Sequence, residues 1–241
     1  MIAVPPAARL GIILSSGNWT LETYFRAYAP QDLGIHVTRM RMGSGGGRTP
    51  QDMETDIRNA ARLLADVKID LIDLQGTGIM MERGPGGEAD IVSAIEDATG
   101  IPAYTATGAA VEAMRAVGMS RLVQISPYGE DARARESAYL QEAGFTIVDS
   151  IGLNDGRHSN DIAPAEWIAA ATSQDWPTAD GIFFSGSNTR MVEAIAPTEA
   201  ALGRPVVTSV QAALWAGIKR LAPRLGPPTA QPALGKLFAT L

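Results

Sequence analysis

Two short segments combine glycine with hydroxyl or amide side chains directly after an apolar run. Residues 76–78 read Gly-Thr-Gly, and residues 185–188 read Ser-Gly-Ser-Asn. Glycine allows a backbone to approach a ligand closely, and hydroxyl and backbone N–H groups donate hydrogen bonds to negatively charged oxygen. The two segments are therefore predicted to hold the oxygen atoms of a small anion, with plain structural turns as the alternative interpretation.

The absence of cysteine restricts the chemistry of such a site. The chain has no Cys and two His, which excludes disulfides, thiolate metal ligands and thiol nucleophiles. His36 falls in a predicted strand and His158 in a predicted loop, and neither has acidic residues at a ligand spacing, so we predict no metal site. The glycine-rich segment 43–50 lacks the Lys-Ser or Lys-Thr pair of a phosphate loop. We interpret it either as a loop that closes on the cleft, with Arg48 as a candidate carboxylate contact, or as a plain flexible connection.

Composition and charge exclude several classes of partner. The 241 residues are 46% hydrophobic and 19% charged, with a formal net charge of -6 and an isoelectric point near 5.0. Nucleic-acid binding usually requires a basic face, and the basic residues are scattered, so we predict no nucleic-acid partner. No apolar run approaches the roughly 20 residues that span a bilayer, and the N-terminus lacks the basic segment of an export signal. We therefore expect no membrane partner and a cytoplasmic location, and we leave a homo-oligomer open.

The elements that must position these residues follow from the hydropathy pattern. Eight short β-rich runs alternate with helical patterns, beginning with "LGIILSS" at 10–16. Such alternation predicts an α/β fold with parallel sheets and right-handed crossovers. In the segment 50–66 apolar residues recur at helical spacing. The predicted buried face of this helix carries Met53, Ile57, Ala60, Ala61 and Leu64.

An internal repeat divides the chain into two halves. "DLQGTG" at 73–78 is echoed by "FFSGSN" at 183–188, and the segments that follow align Thr105 with Thr208. We predict two pseudo-symmetric Rossmann-like lobes, although two β/α units can also look alike by chance. Ligands of open parallel sheets bind at the carboxyl ends of the strands, so the site is expected in the cleft between the lobes. The predicted domains are residues 1–117 together with 212–241, and residues 118–211.

Four motifs occur where the predicted strands end. They are "SSGN" at 15–18, "GTG" at 76–78, "SPYG" at 126–129 and "FFSGSNTR" at 183–190. These motifs resemble active-site segments of the aspartate/glutamate racemase superfamily, most closely its maleate cis-trans isomerase and arylmalonate decarboxylase branches, and the resemblance runs over nearly the whole chain. It implies two α/β lobes, no cofactor, no metal and a small carboxylate substrate enclosed between the lobes.

The resemblance implies roles for individual positions. The isomerase branch has Ser-Cys-Thr-Asn at its second site, so Gly186 occupies the thiol position there, and Gly76 occupies the matching position at the first site. Asn18 matches a carboxylate-binding asparagine, Tyr128 a tyrosine shared by both branches, and Asn160 a further asparagine of the isomerases. The carboxylate-binding set is thus present, whereas both catalytic thiols are missing.

Without a thiol, the chemistry that remains is decarboxylase-like or isomerase-like, through an enediolate or carbanion held by preorganised donors. A serine hydroxyl needs an adjacent base to act as a nucleophile, and neither motif contains a histidine. The alternatives are a hydrolase or other lyase that uses the vacated thiol space, and a non-catalytic carboxylate-binding homologue. The predicted catalytic residues are Thr77, Tyr128 and Ser187, and the predicted substrate-binding residues are Asn18, Gly76, Gly78, Asn160, Gly186 and Asn188.

Several of these side chains also have a purely structural interpretation. Asn18 is equally well placed to cap the helix that follows it. Asn160 suits a turn, Tyr128 a half-buried structural position, and Arg190 a solvated helix surface.

Overall fold

The structure is a computed structural model that describes residues 5–41, 49–227 and 230–241, with side chains for all of these except 77–83 and 85. Arg48 and most of the segment 43–50 lie outside the described residues, so the carboxylate contact predicted for Arg48 stays a prediction. Within the described part of the chain, no helix is both long and apolar enough to cross a membrane.

The first half of the chain forms a parallel sheet of four strands in the order β2-β1-β3-β4. Its strands are β1 (Ala8–Ser15), β2 (Leu33–Met40), β3 (Leu71–Leu74) and β4 (Ala103–Thr105). Its helices are α1 (Leu21–Tyr28), α2 (Pro50–Ala65), α3 (Thr77–Thr99) and α4 (Ala106–Ala116). Every pairing in this sheet is parallel. Each strand is therefore followed by a helix that returns the chain to the end of the sheet where the strands begin.

The second half repeats this arrangement in the order β6-β5-β7-β8. Its strands are β5 (Arg121–Ser126), β6 (Thr146–Gly152), β7 (Gly181–Phe184) and β8 (Val206–Thr208). Its helices are α5 (Glu130–Glu142), α6 (Pro164–Ala171), α7 (Ile195–Leu202), α8 (Ser209–Leu221) and α9 (Gly235–Phe238), with short 3₁₀ turns at Ser159–Asp161, Val192–Ala194 and Pro232–Leu234. Two equivalent parallel sheets confirm the predicted α/β fold with two pseudo-symmetric lobes.

The apolar pattern explains these elements. The inner strands β3 and β7 are buried along their whole length, as expected for parallel strands covered on both faces. In α2 the five apolar residues predicted to face the core are all buried. Thr49 caps the N-terminus of this helix. Its hydroxyl accepts a hydrogen bond from the Asp52 backbone N–H, and the Asp52 carboxylate accepts one from the Thr49 N–H. That reciprocal capping satisfies donors which the first helical turn leaves free.

The two lobes share one hydrophobic core. A continuous cluster of buried side chains includes Leu10 and Ile12 of β1 together with Leu122 of β5 and Ile182 of β7. Helices α4 and α8 pack against each other, and their first residues follow equivalent capping threonines, Thr105 and Thr208. Both residues predicted to align in the internal repeat therefore play the same structural role. The domain boundaries predicted from the repeat stay a prediction.

A glycine in an unusual backbone conformation follows β3 and β7, in each case two residues after the strand ends. Gly76 has φ 119° and Gly186 has φ 116°, a region that residues with a side chain rarely adopt. The preceding residues, Gln75 and Ser185, donate their backbone N–H groups to Ile13 and Ile125 of the neighbouring strands, each at 2.9 Å. The equivalence of these two turns extends the pseudo-symmetry of the lobes to single residues.

We predict that Gly186→Ala destabilises the fold by about 1–3 kcal/mol, because a methyl group strains a backbone held at this φ. A Cβ at this position would also lie 3.2 Å from carbon atoms of both Pro127 and Thr189. The matched control is Gly17→Ala, where a Cβ meets no atom within 4 Å. Urea unfolding of both variants measures the difference, and equal free energies of unfolding would contradict the strain.

Candidate active site

A cavity of about 270 Å³ opens at the carboxyl ends of β1, β5, β6 and β7. The first lobe contributes the loop after β1, and the second lobe contributes the loops after β5, β6 and β7. The lining residues are Ser15, Gly17, Asn18, Pro127, Tyr128, His158, Ser159, Gly186, Ser187, Asn188 and Thr189. Of the nine predicted site residues, this cavity brings together Asn18, Tyr128, Gly186, Ser187 and Asn188.

Asn18 joins the two lobes at the wall of this cavity. Its side chain is 2% exposed, and its Oδ1 accepts from the backbone N–H groups of Thr20 and Leu21 at 3.2 and 3.1 Å. Its Nδ2 donates to the carbonyl oxygen and to the hydroxyl oxygen of Ser187, at 3.1 and 3.2 Å. Both ends of the amide are therefore used, so Asn18 caps the entry to α1 and fixes the Ser187 loop at once.

Ser187 is left with donors for a ligand. Its hydroxyl oxygen accepts from Asn18, so the hydroxyl hydrogen remains to be donated. Among the described residues, neither this hydroxyl nor the Ser187 backbone N–H donates to a protein acceptor. The neighbouring Gly186 N–H is engaged with the Ser209 hydroxyl at 3.2 Å, which anchors the loop to α8. Ser187 can thus present two donors on a loop that is held from both sides.

Asn188 and Asn160 act together as a second tie between the lobes. The Asn188 Oδ1 accepts from the Trp19 backbone N–H at 3.2 Å and from the Thr20 hydroxyl at 3.1 Å, while its Nδ2 donates to the Gly17 carbonyl at 3.3 Å. In the amide orientation that satisfies both of its ends, Asn160 accepts from the Trp19 indole N–H at 2.6 Å and donates to Asn188. These contacts give both asparagines a structural task, and their predicted substrate contacts stay predictions.

Asn160 lies behind the wall of the 270 Å³ cavity. It lines a neighbouring cavity of about 560 Å³ together with Trp19, Tyr24 and Arg190. Arg190 forms an ion pair of 3.9 Å with Glu193 in the same region. Its side chain is about half exposed, with a relative accessibility of 48%, so the solvated-surface interpretation fits it.

The first-lobe segment 76–78 begins α3 at the carboxyl end of β3. Gly76 precedes the helix, and among the described residues it is not part of the cavity lining. The side chain of Thr77 lies outside the described side chains. The predicted roles of Gly76, Thr77 and Gly78 therefore stay predictions, supported by the favourable field that a helix N-terminus offers an anion.

The two glycines predicted to occupy thiol positions both have a positive φ, which favours glycine. A cysteine at Gly76 or Gly186 would have to adopt the positive φ of the present turns, which costs about 1–3 kcal/mol for a residue with a side chain. The missing thiols are thus accompanied by a local conformation that disfavours any side chain at the same place.

Sequence reasoning missed two buried carboxyl groups behind the site. Glu136 of α5 is fully buried and accepts hydrogen bonds from the Ser185 hydroxyl and the Gln124 amide. Burial raises its pKa to about 7, against the lowering effect of these two donors. In the first lobe Asp73 is also fully buried, accepts from the Gln75 amide at 2.6 Å, and has its pKa raised to about 7 by burial.

These carboxyl groups occupy related places, because each binds the side chain of the residue that precedes a strand-end glycine. An acidic residue inside the apolar run "LIDL" was the available signal for Asp73. The segment that holds Glu136 is rich in charged residues, so its sequence does not distinguish the buried carboxylate from the exposed ones. Within the described residues, no group of three potential ligands forms a metal site.

We predict that Glu136→Gln removes part of the pH dependence of stability. The pKa of Glu136 is about 7 in the folded protein and has an ordinary value of 4.5, so the folded protein holds the proton more tightly than the unfolded chain. This contribution is fully present below about pH 4.5 and is lost as the pH rises through 7. Between pH 4 and pH 8 the unmodified protein should lose about 3 kcal/mol of its free energy of unfolding through this group, and the variant should not show this loss.

Urea unfolding at several pH values tests this expectation, with Glu142→Gln on the exposed side of the same helix as the control. A parallel pH dependence for Glu136→Gln and the unmodified protein would show that Glu136 keeps its charge on folding.

Residues 42–238 match the sequence profile of the family described as arylmalonate decarboxylase. The chain is 30% identical to the arylmalonate decarboxylase of Bordetella bronchiseptica, over 98% of this chain and 94% of that protein. It is 26% identical to a maleate isomerase of Pseudomonas putida, over 88% of this chain and 91% of that protein.

The fold is also shared with solved structures. The crystal structure of a maleate isomerase from Pseudomonas putida S16 with maleate superimposes with a TM-score of 0.86 at 24% identity, covering 97% of this chain and 98% of that chain. This likeness supports the two-lobed architecture along the whole of the chain.

Proposed function

Because the chain belongs to the arylmalonate decarboxylase family, we propose that it is a cofactor-independent enzyme acting on a small carboxylic or dicarboxylic acid. The reaction proceeds through a stabilised enediolate or carbanion and uses no cysteine nucleophile. The observation that carries this proposal is the cavity between the lobes, where Ser187 presents unused donors on a loop held by Asn18.

The chemistry of the lining supports a carboxylate ligand. The names of the relatives refer to arylmalonate and maleate, which are both dicarboxylates. The described lining carries hydroxyl, phenol, amide and imidazole side chains and includes no Lys or Arg. Neutral donors in a fixed geometry hold an anion without the cost of moving a mobile cation into place. A cavity of about 270 Å³ is large enough for a small acid.

Decarboxylation suits a site that lacks a thiol. The bond between the α-carbon and one carboxyl carbon breaks, carbon dioxide leaves, and the electron pair stays on the α-carbon as an enediolate. The leaving group supplies the electrons, so the protein needs no nucleophile. Its task is to stabilise the negative oxygen atoms, and each preorganised donor contributes roughly 3–4 kcal/mol to lowering the barrier. The Ser187 hydroxyl, the Ser187 N–H and the Tyr128 hydroxyl are the donors proposed for this task.

Thiol-dependent isomerisation is disfavoured by the same geometry. It requires a nucleophile that adds to an alkene, and the two positions that match thiols are glycines with φ near 120°. A non-catalytic carboxylate-binding protein and a hydrolase or other lyase remain the alternative functions. Both share the anion site with the proposed enzyme, so the experiment must separate binding from turnover.

We predict that malonate, maleate and phenylmalonate bind the purified protein, measured by calorimetry, and that at least one of these acids is turned over, measured by proton NMR. Ser187→Ala and Tyr128→Phe should each lower the turnover number by about 10²–10³-fold, because each removes one donor to the developing oxyanion. The control is Tyr28→Phe, since Tyr28 lines a different cavity at the far end of α1.

The outcomes distinguish the functions. Tight binding of these acids without any turnover would identify a non-catalytic carboxylate-binding protein. Failure of all three acids to bind, or equal activity of Ser187→Ala and Tyr28→Phe, would refute the proposed site.

A further inference from the structure

We propose that His158 is the proton donor of this cavity and replaces the thiol that the chain lacks. This inference rests on the proposed function, because it concerns the step that follows formation of the enediolate. It comes from the position of the imidazole in the cavity and from the chemistry of the groups around it.

His158 is held at the mouth of the cavity. It lines the cavity with Tyr128 and Ser187, and its exposed side chain can exchange protons with solvent. Its backbone carbonyl accepts from the Asp161 N–H at 2.9 Å, which fixes the short turn that it precedes. The next residue, Ser159, donates its hydroxyl to the Asn188 carbonyl at 2.9 Å. The segment that carries the imidazole is thus tied directly to the loop that carries Ser187.

The other groups of the lining are poorly suited to this task. Apart from His158 they are hydroxyl, phenol, amide, glycine, proline and apolar groups. Proton transfer in enzymes is most efficient from a group that titrates near the working pH, and histidine performs it most often. Among the described lining residues, His158 is the only one that carries an imidazole.

The positively charged residue next to His158 in the chain is compensated by two carboxylates. The adjacent Arg157 forms ion pairs with Asp155 at 2.6 Å and with Glu166 at 2.7 Å, so its charge is compensated. Asp161 lies on the turn that follows, and Tyr128 is the other titratable residue in the described lining. An anionic substrate in the cavity would add a negative charge and favour the protonated imidazole.

The step balances without a further reactant. After carbon dioxide has left, the α-carbon of the enediolate takes a proton from an N–H of the protonated imidazole, forming a C–H bond as the N–H bond breaks. The electron pair of the enediolate becomes the C–H bond, and neutral imidazole remains. A proton from solvent at the exposed mouth of the cavity then reprotonates the imidazole, so each decarboxylation consumes one solvent proton.

The chain offers a matched pair of variants, since it has two histidines and His36 lies on β2 away from the cavity lining. With the acid that is turned over, His158→Gln should lower the turnover number at least tenfold and leave KM nearly unchanged. The unmodified enzyme should lose activity at alkaline pH, where its proton donor is deprotonated, and His158→Gln should abolish this alkaline limb. His36→Gln should retain both the rate and the pH profile.

A second readout does not require turnover. Proton NMR of the imidazole signals, assigned with the two variants, should show that malonate shifts the signals of His158 and leaves those of His36 unchanged. Thermal unfolding of both variants checks that they fold.

The results separate this inference from the proposed function. Turnover with an unaltered rate and pH profile in His158→Gln would overturn the inference and leave the carboxylate-acting enzyme intact. Malonate binding that leaves the His158 imidazole signals unchanged would also overturn it. Binding without turnover of any of the three acids would overturn both the inference and the proposed enzyme, while leaving the carboxylate site intact. If none of the acids binds, the proposed function and this inference fail together.

Discussion

The side-chain amide of Asn18 is the contact on which the geometry of the cavity depends. Its oxygen is bound by the first turn of α1, and its nitrogen by the Ser187 loop of the other lobe. Because the amide is almost fully buried, an unmatched donor or acceptor there would cost about 1–3 kcal/mol. The wall of the cavity and the register of the two lobes are therefore set by the same hydrogen bonds, and a ligand meets a surface that is already arranged.

The glycines at the ends of β3 and β7 show how the chemistry of this chain differs from a thiol mechanism. Their conformations nearly coincide, with φ 119° and 116°, although the flanking residues differ. A backbone that adopts this conformation can approach a ligand closely, whereas a side chain at that position would cost about 1–3 kcal/mol. The proposed chemistry therefore relies on fixed donors that stabilise negative oxygen, with the proton supplied by another residue of the cavity.

Each lobe also holds a carboxyl group behind its strand-end glycine. Glu136 binds Ser185, and Asp73 binds Gln75, and burial raises the pKa of both groups to about 7. Burial of a carboxyl group removes it from water, and the hydrogen bonds that it accepts compensate for this lost hydration. In the second lobe this bond fixes Ser185. The loop that carries Ser187 is therefore held by Glu136 of α5 and by Ser209 of α8.

The sequence by itself determined the alternation of strands and helices, the two-lobed repeat and the buried face of α2, because these depend on local hydropathy and on the equivalence of Thr105 and Thr208. It also placed Asn18, Tyr128 and Ser187 near one another through motifs at strand ends. Only the tertiary structure decided that Asn18 and Asn188 bind the opposite lobe, that Glu136 lies behind Ser185, and that His158 reaches the cavity. These contacts join residues that are far apart in the chain. The packing of the two sheets selects their partners, and a local sequence pattern does not specify that packing.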